Sequence, residues 1–330
     1  MTTTARPGAK ALVLALALFT VATFAPVAVV SALGWHTVVP IALLTGLSAV
    51  MASLTGGGWR TGLLLAVPFA AFAGVLTWAQ PHAWAAALVM AAAALLRGLT
   101  AIDGLHNALM TSVITLGFVV AKPPTPQTDL AAPVAVALVV LATCLWVTLI
   151  ALVTRRWSRK PALVRIPRQR AIAFSVVLAL MVGAATWFVV RLDLGEGGAW
   201  IILTLLVVVQ PYLKDGMRKA IERSAGTLLG FVLAVAIGLL TTSSMVLGIL
   251  GAACMVTATA AMILGRPYWQ YAAFLTAAII LFVGSDGSVL HTAEVRLGAT
   301  LIAVVATMAV IIVLTPVARN LADRAGLDRY

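Results

Sequence analysis

The side chains best suited to chemistry lie in a charged segment in the second half of the chain. Lys214, Arg218 and Glu222 are four residues apart and share one face of a helix. An arginine in such a place binds a substrate carboxylate, and a neighbouring glutamate exchanges a proton. Arg218, Glu222 and Arg223 are therefore the candidate inner gate of a transport pathway. Further candidates for substrate contact or gating are Gln210, Pro211 and Lys214. Anchoring to lipid headgroups, with an ion pair between helices, is the alternative interpretation.

A neighbouring face of the same helix carries Lys219 and Arg223, whose like charges repel each other at this spacing. A nearby anion would relieve that repulsion. Gly226, Thr227 and Gly230 follow, and the small-xxx-small spacing of the two glycines lets helices approach closely in lipid. This part of the helix is therefore predicted to be a packing surface.

Asp103 and His106 are a first candidate pair for proton coupling. They stand three residues apart at the predicted inner end of the fifth apolar span, where they would share a helical face. If the helix instead begins at Gly104, Asp103 is only its N-terminal cap. Both interpretations stay open.

A second candidate group for proton coupling lies before the last apolar span. Asp286, His291, Glu294 and Arg296 fall within one short stretch on the predicted outer side. These residues could load protons. The alternative is a solvated loop in which Arg296 caps the last span.

The elements that must position these residues are membrane helices. Of 330 residues, 62% are hydrophobic and 10% are charged, whereas a soluble domain has about one quarter charged residues. Long apolar runs in lipid must be helical, because unpaired backbone groups are not tolerated there. The prediction is an all-α, polytopic membrane protein with about twelve spans, at 11–33, 37–54, 61–79, 82–96, 99–121, 131–153, 171–190, 199–212, 222–241, 245–264, 268–284 and 294–316.

The eighth span is short and ends at Gln210-Pro211, since proline lacks a backbone donor and disfavours helix at the residue before it. At 1.5 Å per residue, residues 199–212 reach only about 21 Å. Either neighbouring helices shield this span or it continues past Pro211. Ten full spans are thus an alternative to twelve.

The basic residues are distributed unevenly across the predicted topology. All but three of the 22 Lys and Arg residues fall on one side, the exceptions being Lys122, Arg191 and Arg296. The positive-inside rule places that side, and both chain termini, in the cytoplasm. The charge is therefore expected to meet anionic lipid headgroups, and no nucleic acid partner is predicted.

The two halves of the chain resemble each other, for example in Trp35 and Trp200, each in front of an apolar span. A duplicated six-helix unit returns to its starting side, so the two copies are predicted to be parallel. The expected organisation is a first repeat at 1–154, a basic cytoplasmic linker at 155–170, and a second repeat with a short cytoplasmic tail at 171–330.

The stretch 199–230 contains Trp200, Gln210-Pro211 and the pattern Arg-x-x-x-x-Arg-x-x-Gly-Thr-x-x-Gly from Arg218 to Gly230. This combination resembles the signature of the fusaric acid resistance protein-like family, also called the integral membrane bound transporter domain. A second family element is matched by Glu294, Arg296 and Gly298, although Ala299-Thr300 stands where the family has Asp-Thr. The resemblance covers roughly residues 170–320. In the first half the charged motif is replaced by Gly57, Gly58, Trp59 and Arg60.

The resemblance implies a secondary transporter of the bacterial inner membrane. It would export small organic anions such as aromatic carboxylic acids, driven by the proton gradient, with no cofactor. Spacing typical of metal ligands, nucleotide-binding loops or a nucleophilic serine does not occur, so no enzyme activity is predicted.

The sequence permits three other interpretations. A major facilitator-type carrier also has parallel six-span halves, but residues 53–60 lack the acid of its basic loop. A non-transporting scaffold, or the membrane subunit of a complex, would dock an acidic partner on its basic face. An intramembrane enzyme for lipid-linked substrates would need a carboxylate-rich face. The glycine spacing also permits a homo-oligomer.

Overall fold

The computed structural model describes residues 9–56, 58–125, 128, 130–156, 163–241, 243–284, 294, 297–306 and 309. All regular secondary structure in these ranges is helical, which confirms the all-α prediction. The helices are α1 Ala9–Ala32, α2 Val39–Gly56, α3 Trp59–Ala79, α4 Ala83–Leu99, α5 Met110–Ala121, α6 Ala132–Val153, α7 Arg168–Arg191, α8 Gly195–Val208, α9 Leu213–Leu240, α10 Ser244–Ile263, α11 Tyr268–Gly284 and α12 Leu297–Ala306.

The chain is a multi-pass membrane protein. Within the described ranges, six helices are long and apolar enough to cross a membrane, and six further apolar helices are shorter. Large apolar side chains point away from the protein, including Leu64 at 74% and Leu239 at 83% exposure. Such surfaces are stable against lipid and not against water. Twelve complete crossings, with both termini inside, remain predictions.

The fifth span differs most from its prediction. Helix α4 ends at Leu99, residues 100–109 form consecutive turns, and α5 begins only at Met110. Gly104 has φ +77, a left-handed conformation that stops a helix and that glycine adopts at little cost. The predicted helix from residue 99 is therefore wrong over its first ten or so residues. Hydropathy does not detect these turns, because the residues that form them are largely apolar.

Helix α8 shows how a short apolar helix can be accommodated. It ends at Val208, two residues before Gln210, and nearly every residue from Gly198 to Val209 is buried. Trp200 packs edge-on against Phe118 of α5, with ring centroids 4.8 Å apart. Shielding by neighbours, the first of the two predicted alternatives, is therefore what the structure has.

The chain divides into two compact units, Met1–Leu206 and Val207–Tyr330. In the first unit, α3 packs on α6 and α4 packs on α7. Helix α7, expected to open the second repeat, is therefore a packing partner of the first six helices. In the second unit, α11 packs on both α9 and α10. The predicted division into repeats at 155–170 concerns internal symmetry and stays a prediction.

Candidate functional site

The candidate site lies on α9, whose length separates a charged end from an apolar remainder. The helix has 28 residues, which is about 42 Å and exceeds the roughly 30 Å hydrocarbon core of a bilayer. Its charged residues all lie between Lys214 and Arg223, and none follows before its end at Leu240. The apolar remainder is long enough to enter the core while the charged end extends beyond it.

The more exposed face of this charged end carries an ion pair between Arg218 and Glu222. Arg218 Nε donates to Glu222 Oε1 at 2.8 Å, and the two side chains are 73% and 16% exposed. Lys214 on the same face is exposed. An ion pair in contact with water contributes little to stability, because solvent screens it and side-chain entropy opposes it. Either member can therefore exchange its partner for another ion at low cost.

Arg223 is in a different environment on the neighbouring face, only 1% exposed. Among the described residues, its Nε and Nη2 have no hydrogen-bond partner. These two N–H groups lie parallel on one edge of the guanidinium. This edge can donate one hydrogen bond to each oxygen of a carboxylate. Arg223, one residue after Glu222, thus has two adjacent buried N–H groups that can donate to an anion.

The face of α9 that buries Arg223 is the one that packs on α11. A Cβ added at Gly226 would lie 2.6 Å from both Ala272 Cβ and the Trp269 carbonyl oxygen. A Cβ at Gly230 would collide with the Ala273 carbonyl and with Thr276. The small-xxx-small motif therefore marks the place where α9 and α11 touch through their backbones.

Two buried hydroxyls accompany Arg223 along this contact. Thr227 lies one helical turn further along α9, and Thr276 of α11 lies against Gly230. Neither Oγ1 has a hydrogen-bond partner within the described part of the chain. We call Arg223, Thr227 and Thr276 the polar track. It is a series of vacant donors leading from the charged end of α9 along the α9–α11 contact.

The other predicted site residues are placed less favourably. Gln210 Nε2 donates to the carbonyl oxygen of Val207 at 2.8 Å and so closes the end of α8, next to Pro211. Glu294 is exposed. Arg296, together with Asp286 and His291, lies outside the described residues.

The predicted geometry of Asp103 and His106 is wrong. Both lie in the turns between α4 and α5, so they share no helical face, and Asp103 is exposed whereas His106 is buried. The suggestion that Asp103 caps a helix at Gly104 is wrong for the same reason, because the helix begins at Met110. The turn chemistry of Asp103, Gly104 and Asn107 overrode the apolar pattern.

Two residues of interest were missed by sequence reasoning. Thr276 gave no signal, because a threonine in an apolar helix is unremarkable until its neighbours are known. Arg97 did give one, since it is a lone charge at the end of an apolar run and becomes completely buried. The described residues contain no group of three His, Cys, Asp or Glu that could hold a metal ion.

These features define a helical multi-pass membrane protein with a charged helix end that leads to a buried arginine. The family model described as fusaric acid resistance protein-like matches residues 182–311, from within α7 to beyond α12. The match confirms the resemblance that the motif indicated, over that part of the chain. No curated protein and no solved structure matches the chain. The match to this family supports a membrane transporter.

Proposed function

We propose that this protein is a proton-coupled secondary transporter that exports small organic anions, with aromatic carboxylic acids as the substrate class. It would act in the bacterial inner membrane with both termini in the cytoplasm. The family match supports transport. The anionic nature of the substrate rests on one observation, the vacant Nε and Nη2 of the buried Arg223.

A buried guanidinium lacks the water that would stabilise its charge. Removing an ionised group from water costs several kcal/mol, by general order of magnitude, unless an opposite charge and hydrogen bonds replace the water. The side chain of Arg223 is shielded from solvent, and no acidic partner for it occurs in the described ranges. A carboxylate bound to its free edge supplies both the charge and the two acceptors.

The entry route follows from the order of residues on α9. A carboxylate arriving at the charged end first meets the exposed Arg218, then the buried Arg223, and then the hydroxyls of Thr227 and Thr276. Each of these groups can donate a hydrogen bond to the anion. Because α9 and α11 touch through their backbones at Gly226 and Gly230, passage beyond Arg223 requires this contact to open. An aromatic ring on the same molecule would remain in the apolar surroundings of the helices.

Glu222 is the group proposed to couple this passage to protons. In the structure it accepts from Arg218, and a substrate anion at Arg218 competes with it. A carboxylate released from its ion pair becomes available to exchange a proton. Substrate occupancy and the protonation of Glu222 are thereby linked.

A first test measures accumulation of a panel of aromatic carboxylic acids in cells expressing the protein. Wild type is compared with Arg223→Gln and Arg218→Ala at matched membrane levels. Arg266→Gln is the control, because it removes the same charge from an exposed position in the second unit. We expect wild type and Arg266→Gln to lower accumulation and Arg223→Gln to fail. Equal accumulation in all cells would contradict the proposal, and a stoichiometric protein partner on purification would favour a scaffold.

A further inference from the structure

The end of α4 in the first unit contains a second buried arginine, which the proposed transport route does not use. Arg97 is the last basic residue of α4 and has no exposed surface. Its Nε donates to the carbonyl oxygen of His106 at 3.1 Å. Among the described residues, Nη1 and Nη2 have no hydrogen-bond partner.

The surroundings hold this guanidinium in one orientation. The turns at residues 100–109 carry the His106 carbonyl back over the end of α4, and the Ala101 carbonyl accepts from Ile166 N at 2.9 Å, which ties these turns to the segment before α7. Phe174 of α7 lies below the guanidinium, with its ring centre 6.0 Å from Arg97 Cζ. The His106 ring meets Phe174 edge-on at 6.3 Å.

Helices α4 and α7 are in close contact beside Arg97. A Cβ added at Gly98 would lie 2.5 Å from Ser175 Cα, so the two backbones touch directly beside Arg97. Because the backbones cannot move apart without losing this contact, the guanidinium has little freedom to reach water. An acceptor for Nη1 and Nη2 therefore has to bind next to the guanidinium inside the protein.

We propose that Arg97, the turns at residues 100–109 and Phe174 form an oxyanion-binding site in the first unit. With Nε already bonded to His106, the end of the guanidinium formed by Nη1 and Nη2 is open to an anion with two oxygens, a carboxylate or a phosphate. Arg223 offers the Nε edge in the second unit, so the two sites present different edges of the same group. The proposal does not depend on the transport function, because it concerns other helices.

The anion has two possible sources, a free carboxylate and the phosphate of an anionic lipid headgroup, and the test separates them. The unfolding temperature of purified protein is measured in an Arg223→Gln background, which removes the proposed substrate site. One arm titrates benzoate. The other compares nanodiscs of phosphatidylglycerol with nanodiscs of phosphatidylcholine. Variants are Arg97→Met, Arg97→Lys and, as control, Arg168→Gln, an exposed arginine at the start of α7.

The expected result is a saturable rise of the unfolding temperature that Arg97→Met abolishes and Arg168→Gln keeps. Arg97→Lys keeps the positive charge but lacks the paired N–H groups of the guanidinium. Its apparent affinity for the anion should therefore fall by about tenfold or more. A response to benzoate identifies a free carboxylate as the ligand, and a response only to phosphatidylglycerol identifies a lipid headgroup. No Arg97-dependent response in either arm overturns the proposal.

The behaviour of Arg97→Met without anion is an independent check. An unpaired buried charge opposes folding, so its replacement by an apolar side chain of similar length should leave the anion-free unfolding temperature unchanged or higher. A markedly lower value would mean that the guanidinium already has a charge partner, which would also overturn the proposal. If Arg97→Met gives no folded protein, the affinity of Arg97→Lys for benzoate decides the question.

Discussion

At the scale of single residues, what distinguishes this protein is the burial of two arginines with free donors. Arg97 and Arg223 are buried, while Arg60 near the start of α3 and Arg266 between α10 and α11 are exposed. Each of these four arginines borders an apolar run in the sequence, which does not show which of them become buried. Burial depends on contacts such as Phe174 against Arg97, which join positions far apart in the chain.

Charge and hydrogen-bond geometry at position 223 can be separated by one substitution. Arg223→Lys keeps the positive charge but lacks the two parallel N–H groups that hold both oxygens of a carboxylate. We expect export to persist with an apparent KM raised by about tenfold, which corresponds to roughly 1.4 kcal/mol of binding free energy. The measurement is the concentration dependence of export. An unchanged KM would show that the two parallel N–H groups of Arg223 do not contact the substrate.

Replacing Glu222 tests the proposed coupling to protons. Glu222→Gln keeps the size of the side chain and its ability to accept from Arg218, but it cannot ionise. We expect anion exchange to continue while the response of flux to an imposed pH gradient disappears. Flux at equal and unequal pH across the membrane is the measurement. A Glu222→Gln protein that responds to the gradient like wild type would exclude this residue as the coupling group.

The alignment of the charged residues on α9 could be read directly from the sequence. A spacing of four places Arg218 and Glu222 on one face, and their atoms are 2.8 Å apart. The same periodicity distinguishes the neighbouring face on which Arg223 lies. The polar track could not be predicted, because Thr276 comes from another helix and its position depends on how α9 and α11 pack.

At the scale of helices, the α9–α11 contact is the feature on which the candidate site depends. Gly226 and Gly230 remove the side chains that would separate the two backbones. The spacing predicts close packing of some helix on this face. It does not identify α11, because the motif carries no information about its partner.

Gly226→Ala is expected to destabilise the second unit. The added methyl would lie 2.6 Å from the Trp269 carbonyl, where only backbone movement can relieve the overlap, and overpacking of this kind costs about 1–3 kcal/mol. Gly248→Ala in α10 is the matched control, because nothing lies within 4 Å of its Cβ position. There the gain in helix propensity should stabilise by roughly 0.5–1 kcal/mol. Thermal unfolding in detergent measures both, and equal effects would contradict the assigned contact.

Helix boundaries follow the sequence where proline or glycine acts, and depart from it where apolar residues conceal a turn. The break at Gln210-Pro211 gives an α8 that ends at Val208. Between α4 and α5, by contrast, the turns at residues 100–109 interrupt a run that hydropathy alone reads as one span. That interruption separates Asp103 from His106 and at the same time brings the His106 carbonyl to Arg97.

At the scale of the whole molecule, hydropathy is sufficient to predict the class and the number of helices that the described ranges contain. Apolar runs of this length have only one stable form in lipid, so each predicted span corresponds to one helix. The division into Met1–Leu206 and Val207–Tyr330 could not be predicted, because it depends on α7 packing against α4. The repeat of two parallel six-helix units is a separate question of symmetry and remains a prediction.

The orientation in the membrane is testable with single cysteines. In a background where Cys144 and Cys254 are alanine, His82→Cys in the exposed loop before α4 should react with a membrane-impermeant maleimide added to intact cells. Arg266→Cys in the exposed loop between α10 and α11 should react only after the membrane is opened. Both positions are exposed in the structure. Reversed labelling would place the termini outside and move the charged end of α9 away from the cytoplasm.

The most direct test of the central claim, that the protein carries organic anions through a route that includes Arg223, uses purified protein in liposomes. Benzoate and related aromatic carboxylates are loaded on one side, a pH gradient is imposed, and their movement is compared with protein-free and Arg223→Gln liposomes. We expect a flux that saturates with substrate in wild-type liposomes and falls to the protein-free rate in Arg223→Gln liposomes. Identical rates in all three preparations, for every anion in the panel, would contradict it.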